Sequence, residues 1–149
     1  MPNPAPRNNS PYSFPKAERI CRKADLQLLF SQSRKHFSHP LVVLTCLRPA
    51  LPGESQVQMV AVAPKKKFRR AVVRNQIKRR LKEVFRLQKG EIFPCVPENT
   101  TLLISLSIVT SQIPLHLETM QGFRRLLNKS VLPYLAEQSS IAPHDAHSS

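Results

Sequence analysis

The chain has 149 residues, enough for one domain with its own core, and it sets 23 Lys and Arg against 9 Asp and Glu for a formal charge of +14. That field repels other copies of the chain and draws polyanions, so nucleic acid is the first expected partner and an anionic membrane surface the second. Three cysteines without a CxxC pair (Cys21, Cys46, Cys95) exclude a disulfide scaffold or zinc ribbon and suit reduced thiols in an intracellular compartment; apolar runs such as Leu41-Val42-Val43-Leu44 are far too short to span a bilayer.

In chain order, residues 1–17 hold five prolines in the first fifteen positions and lack an apolar leader core, which reads as a disordered tail. Leu26, Leu29 and Phe30 fall at i, i+3 and i+4 and predict a helix over 23–32 that stops in Ser31-Gln32-Ser33. A strand is expected over 40–48, then a turn at Pro49, Pro52 and Gly53, then a second strand over 56–63 ending at Pro64. A basic loop, 65–70, leads into a long helix over 71–89 that stops at Gly90. Thr101 to Val109 predicts a third strand, and a last helix covers 115–129, with an extension toward Leu135 past a break at Pro133. Residues 137–149, with Ser, His and Ala around Pro143, read as a second tail, so the folded domain spans 18–136. Strands interleaved with helices in this order predict an α/β sandwich with helices covering one sheet.

The informative segment runs from Pro64 to Gly90. Twelve of the 23 basic residues lie between 65 and 89, against the single acid Glu83. Val73, Ile77, Leu81 and Phe85, with Val84 beside them, recur every fourth residue and should pack on the sheet. Arg74, Lys78, Lys82 and Arg86 recur at the same interval one position round, with Arg79 near them. Like charges at i,i+4 weaken a helix by roughly 0.2–0.5 kcal/mol per pair, and a polyanion laid along the stripe reverses that cost. Solvated helix faces normally mix signs; this one hardly does. Asn75, a poor helix-interior residue, suits either a cap on the first turn or a hydrogen bond to RNA.

The run Ala71-Val72-Val73-Arg74-Asn75-Gln76-Ile77-Lys78-Arg79-Arg80-Leu81-Lys82-Glu83-Val84-Phe85-Arg86, preceded by a strand and Lys65-Lys66-Lys67, resembles the signature helix of the protein subunit of bacterial ribonuclease P. Arg22-Lys23-Ala24-Asp25-Leu26-Gln27-Leu28-Leu29-Phe30 is similar to that family's opening helix, and the resemblance covers about residues 18–130. It implies an α/β (α+β) two-layer sandwich of the ribosomal protein S5 domain 2-like kind, a small mixed sheet with a left-handed βαβ crossover at the basic helix. It implies a cytoplasmic ribonucleoprotein in which the catalytic RNA, with Mg²⁺ held mainly by RNA and substrate, hydrolyses one phosphodiester and removes the 5′ leader of precursor tRNA. The protein would be a subunit of that endoribonuclease without an active site of its own, needing neither membrane nor a protein partner.

By position in the resembling motif, Arg74, Asn75, Lys78, Arg79 and Lys82 would face the catalytic RNA, with phosphate contacts from Lys65, Lys66, Lys67, Arg70, Arg80 and Arg86. Arg22, Leu26, Phe30 and Leu44 would line a cleft for the single-stranded leader. The sequence departs from the family at Gln76, where a third signature Arg is usual, at Arg69, where Gly is common, and at Leu26 and Leu44, where cleft aromatics are usual. Phe30 is then the main stacking candidate, although at i+4 from Leu26 it also suits the core.

Other chemistry finds little support. No His pairs with a Cys at zinc spacing, His36 and His39 read as solvated loop residues, and two aspartates, Asp25 and Asp145, are too few for a protein-built two-metal nuclease. The alternatives are a stand-alone or ribosome-associated basic RNA-binding module and a DNA-binding regulator, the latter without an evident helix-turn-helix pair.

Overall fold

A computed structural model describes residues 15–110 and 112–138; the expected tails fall mostly outside these residues. The elements are α1 (Lys23–Ser31), β1 (Arg34–Ser38), β2 (Leu41–Pro49), β3 (Val57–Ala61), α2 (Ala71–Gln88), β4 (Thr100–Ile108) and α3 (His116–Leu126). The four strands form one mixed sheet in the order β1-β2-β4-β3. β1–β2 and β2–β4 are antiparallel, whereas β3–β4 is parallel. Parallel neighbours need a crossover connection, and α2 supplies it.

Because alternate residues of a strand point to opposite faces, the sheet has two distinct sides. On one side Leu41 and Val43, Val57, Met59 and Ala61, and Leu102, Ile104, Leu106 and Ile108 are buried against Ile77, Leu81, Val84 and Phe85 of α2 and Phe123 and Leu126 of α3. Phe85 and Phe123 are the largest fully buried side chains, in a core that is mostly aliphatic. On the other side only Ile20, Leu29, Cys46 and Leu103 are buried together, under α1.

Polar bonds hold α1 in place. Arg48 of β2 donates from Nε to Asp25 Oδ1 at 2.8 Å and from Nη2 to Asp25 Oδ2 at 3.1 Å. The same guanidinium reaches Glu54 Oε1 at 2.8 Å and Oε2 at 2.6 Å. All three side chains are largely buried. The Arg48 guanidinium holds the Glu54 carboxyl far below its usual range, at about 2.

The N-terminal segment lies along the outer side of β3. Arg19 bridges Met59, the Ile20 N–H donates to the Met59 carbonyl, and Glu18 pairs with Lys89 Nζ at 2.6 Å. At the other end α3 packs tightly on the β1–β2 turn: a Cβ on Gly122 would sit 2.9 Å from the His39 carbonyl oxygen.

Three expectations need correction. Residues 34–38, read as loop, form the edge strand β1, and His36 is buried there with its Nε2 2.8 Å from Thr45 Oγ1. Burial and the neighbouring Arg34 push the imidazole pKa down. Lys89, counted among the surface cations, is buried through its Glu18 ion pair. The last helix does not break at Pro133; the irregularity is a π turn over Leu127–Val131, after which residues 132–138 are helical again. A π turn breaks the regular i→i−4 ladder just upstream of the proline, which has no N–H to give it.

Candidate nucleic-acid interface

α2 begins where Arg70 leaves extended backbone (φ −82°, ψ 129°) and runs for 18 residues. Its buried positions are Ile77, Leu81, Val84, Phe85 and Gln88. At 100° per residue the direction opposite that face falls on Val72, Arg79 and Arg86, with Asn75 and Lys82 on one flank and Glu83 on the other. Asn75, Arg79 and Lys82 are exposed, and the Asn75 side chain caps nothing among the described residues. The Arg74-Lys78-Lys82-Arg86 stripe therefore winds from the edge of the buried face at Arg74 to the outward crest at Arg86.

Arg74 sits at that edge of the buried face. Its Nη1 donates to the carbonyls of Phe68 and Arg69, both at 2.8 Å, so it folds the 65–70 loop back onto the first turn of α2. Phe68 is buried in the core below, which fixes the middle of that loop while Lys65, Lys66, Arg69 and Arg70 stay exposed. Lys67 is also exposed, but its Nζ donates to the Val109 carbonyl at 2.7 Å. On the opposite margin Arg80 donates to the Pro114 carbonyl. Arg86 pairs with Glu83 at 2.5 Å; that hydrogen-bonded guanidinium draws the Glu83 carboxyl below its usual range.

Of the RNA-contact candidates, then, Arg74, Lys67, Arg80 and Arg86 have bonds within the protein. Lys65, Lys66, Arg70, Asn75, Lys78, Arg79 and Lys82 have no side-chain partner among the described residues, and neither does Arg69. The result is a loop and a helix crest with cations held close together and largely uncompensated.

The second candidate surface is the bare part of the α1 side of the sheet. Strand pairing sets Lys35 opposite Leu44 and Phe37 opposite Val42, and beyond β2 it sets Leu44 opposite Ser105 and Val42 opposite Ser107. Paired residues share a face, so Phe37, Val42, Leu44 and Ser107 form one partly open apolar-and-hydroxyl strip next to α1, while Ser105 on the same face is buried. Leu26 and Leu44 both pack at the edge of the small α1 cluster, which brings these two cleft candidates together. Arg22, Leu26 and Phe30 succeed one another at four-residue spacing on one side of α1. Phe30 keeps 52% of its surface exposed, which removes it from the core. Phe37, 60% exposed, is a second aromatic that the sequence reading missed. Its signal was the alternation of Lys35 and Phe37 ahead of Pro40, too short to stand out.

Among the described residues no three His, Cys, Asp or Glu side chains cluster so as to hold a metal ion, and no helix is long and apolar enough to cross a membrane.

The fold and this surface define a class: a small mixed-sheet α/β protein that presents one cationic crossover helix and one uncovered strip of sheet. The Ribonuclease P family model matches residues 14–129, and the chain belongs to that family. It is 31% identical over 122 residues to a ribonuclease P protein component of Porphyromonas gingivalis, covering 81% of this chain and 85% of the relative. A second such component, from Citrifermentans bemidjiense, is 41% identical over 79 residues, covering 52% of this chain and 63% of the relative. The fold matches that of the Staphylococcus aureus RNase P protein with a TM-score of 0.58 at 24% identity, covering 76% of this chain and 94% of that one.

Proposed function

We propose that the chain is the protein subunit of the ribonuclease P ribonucleoprotein, binding the catalytic RNA through α2 and the 65–70 loop and the 5′ leader of precursor tRNA on the strip beside α1. The observation that carries this reading is the set of cations without a side-chain partner among the described residues at Lys65, Lys66, Arg69, Arg70, Lys78, Arg79 and Lys82, on a helix and a loop that Phe68 and Arg74 hold together. Each phosphate these cations neutralise steepens the salt dependence of binding.

The strip suits an unpaired strand. Phe37 and Phe30 offer aromatic faces for bases, Leu44 and Val42 offer an apolar floor, and Ser107 lies in the same strip. Stacking is worth roughly 1–3 kcal/mol per base and is indifferent to sequence, as leader recognition across many precursor tRNAs requires. Arg22, exposed at the start of α1, adds a cation for the leader backbone. In this reading Mg²⁺ belongs to the RNA and the substrate. The acids nearest these surfaces are already engaged, Asp25 and Glu54 by Arg48 and Glu83 by Arg86. The protein's own work is to neutralise phosphates and hold the leader while the RNA does the hydrolysis.

The test is reconstitution with a bacterial ribonuclease P RNA and a precursor tRNA at low Mg²⁺. Cleavage should accelerate over RNA alone, with tighter binding of precursor than of mature tRNA; no acceleration overturns the reading. Replacing Lys78 and Lys82 together by Ala should lower the slope of log affinity against log salt by roughly 2. An unchanged slope removes α2 from the interface.

A further inference from the structure

Between α2 and the loop before α3 lies an open pocket of about 420 Å³ lined by Gln76, Arg79, Arg80, Glu83, Ile113 and His116. It opens beside the crest of α2, and its walls carry more hydrogen-bonding chemistry than phosphate binding needs. Arg80 is tied to the Pro114 carbonyl, so one guanidinium plane is fixed against the 113–115 loop. Ile113 supplies an apolar wall, while Gln76 and His116 each bring a group that can donate or accept. The volume falls in the range that holds small organic ligands, and a single nucleotide is of that size.

Glu83 is the telling residue. It is the one acid among the twelve cations of 65–89, and Arg86 keeps it ionised. A carboxylate can only accept hydrogen bonds, and it repels RNA phosphates, which offer no donor. Beside a polyanion it is tolerable where the RNA presents N–H groups, and unpaired bases present them on their Watson–Crick edges. Arg86 already donates to both Glu83 oxygens, at 3.1 and 2.5 Å, which leaves one acceptor site on each. Guanine fits best because its N2 amine can take one of these while the adjacent N1–H donates to the Gln76 side-chain carbonyl. Gln76, where the family resemblance expects a further cation, leaves the same wall neutral and able to pair.

We propose that this pocket takes one unstacked guanosine of the partner RNA, with the base edge on Glu83 and Gln76, the ring against Ile113 and the Arg80 guanidinium, and the adjoining phosphate on Arg79. The proposal rests on the reading of α2 as the RNA-facing helix and specifies what one margin of that helix reads.

The test uses the full chain and a bacterial ribonuclease P RNA. Glu83→Gln should weaken affinity about tenfold, in keeping with loss of a good base pairing, at an unchanged melting temperature. Removing a negative charge from a purely electrostatic interface would instead tighten binding, so an equal or higher affinity overturns the proposal. In the same RNA with inosine scattered in place of guanosine, loss of the N2 amine at one or a few positions should interfere with binding of the unaltered protein and cease to matter for Glu83→Gln. An identical interference pattern for both proteins also overturns it, including the case in which Glu83 merely braces Arg86 or meets a 2′-hydroxyl. Lys78 and Lys82 do not line the pocket. If their replacement flattens the salt slope while the inosine pattern is identical, the pocket alone fails; if the slope does not change, the RNA-facing reading of α2 fails first.

Discussion

Among the described residues, twenty-two buried on the side of the sheet covered by α2 and α3 form one continuous apolar cluster; on the α1 side there are four, joined by the Asp25–Arg48–Glu54 ion cluster. The packed side provides the stability that fixes α2 as a rigid carrier of charge. The other side leaves Phe37, Val42 and Leu44 uncovered or half-covered, and it depends on directed polar bonds to hold α1. Apolar packing would have done that job by covering the very strip a leader would occupy. Burial and binding thus divide one sheet between them, and the ion cluster makes the division possible.

The largest effect should come from the packed side. Phe85→Ala removes a fully buried ring and should cost about 3–5 kcal/mol, read from urea denaturation; a loss under 1 kcal/mol would mean that this core is not the stabilising one. Arg48→Met comes next. It leaves two carboxylates buried without their cation, a loss of about 2–4 kcal/mol, set a little below that of a fully enclosed pair because the three side chains keep slight solvent contact. Hydrogen exchange should quicken in α1 before α2, and uniform quickening would break the proposed division.

The same cluster gives a pH dependence. The folded pKa of Glu54 is depressed from 4.5 to about 2, so the stability it contributes is full above the unfolded value and declines as pH falls from about 4.5 toward 2. Glu54→Gln should flatten the acid limb of the stability curve in that window, and an unaltered limb would assign acid unfolding to other carboxylates. The smallest effect on folding belongs to Phe37→Ala, within about 0.5 kcal/mol because the ring is mostly exposed. Its effect should appear in precursor binding, as a loss of roughly 1–2 kcal/mol confined to substrates that carry a leader. Equal losses for mature tRNA would place the ring elsewhere in the complex.

Much of this was legible in the sequence because it is local. The apolar period of α2 and its bounds at Pro64 and Gly90, and the apolar-rich runs of β2 and β4, each declare an element within a few residues. β1 does not. Arg34-Lys35-His36-Phe37-Ser38 carries cations on both faces and becomes a strand only because β2 pairs with it and Tyr134 stacks edge-on against His36. Nothing local joins Asp25 to Arg48 or Glu18 to Lys89, which lie 23 and 71 residues apart. The cationic stripe does not keep to one face of the helix, for a geometrical reason. A step of four residues overshoots a full helical turn by 40°, so Arg74 and Arg86 drift apart around α2 although they share a four-residue rhythm. The cations of the candidate site were therefore legible, whereas their division between crest, loop brace and pocket margin needed the fold.

The placement of residues 15–20 has one more consequence. β3 is the outermost strand on its side of the sheet, and Arg19 and Ile20 lie against it at Met59 while Glu18 is fastened to Lys89. The opposite boundary, β1, carries Arg34 and Lys35. An uncovered, uncharged strand edge is a template for adding a strand from another molecule. Here one rim is shielded by the chain itself and the other carries cations that repel a second copy, so neither offers a ready template for strand addition.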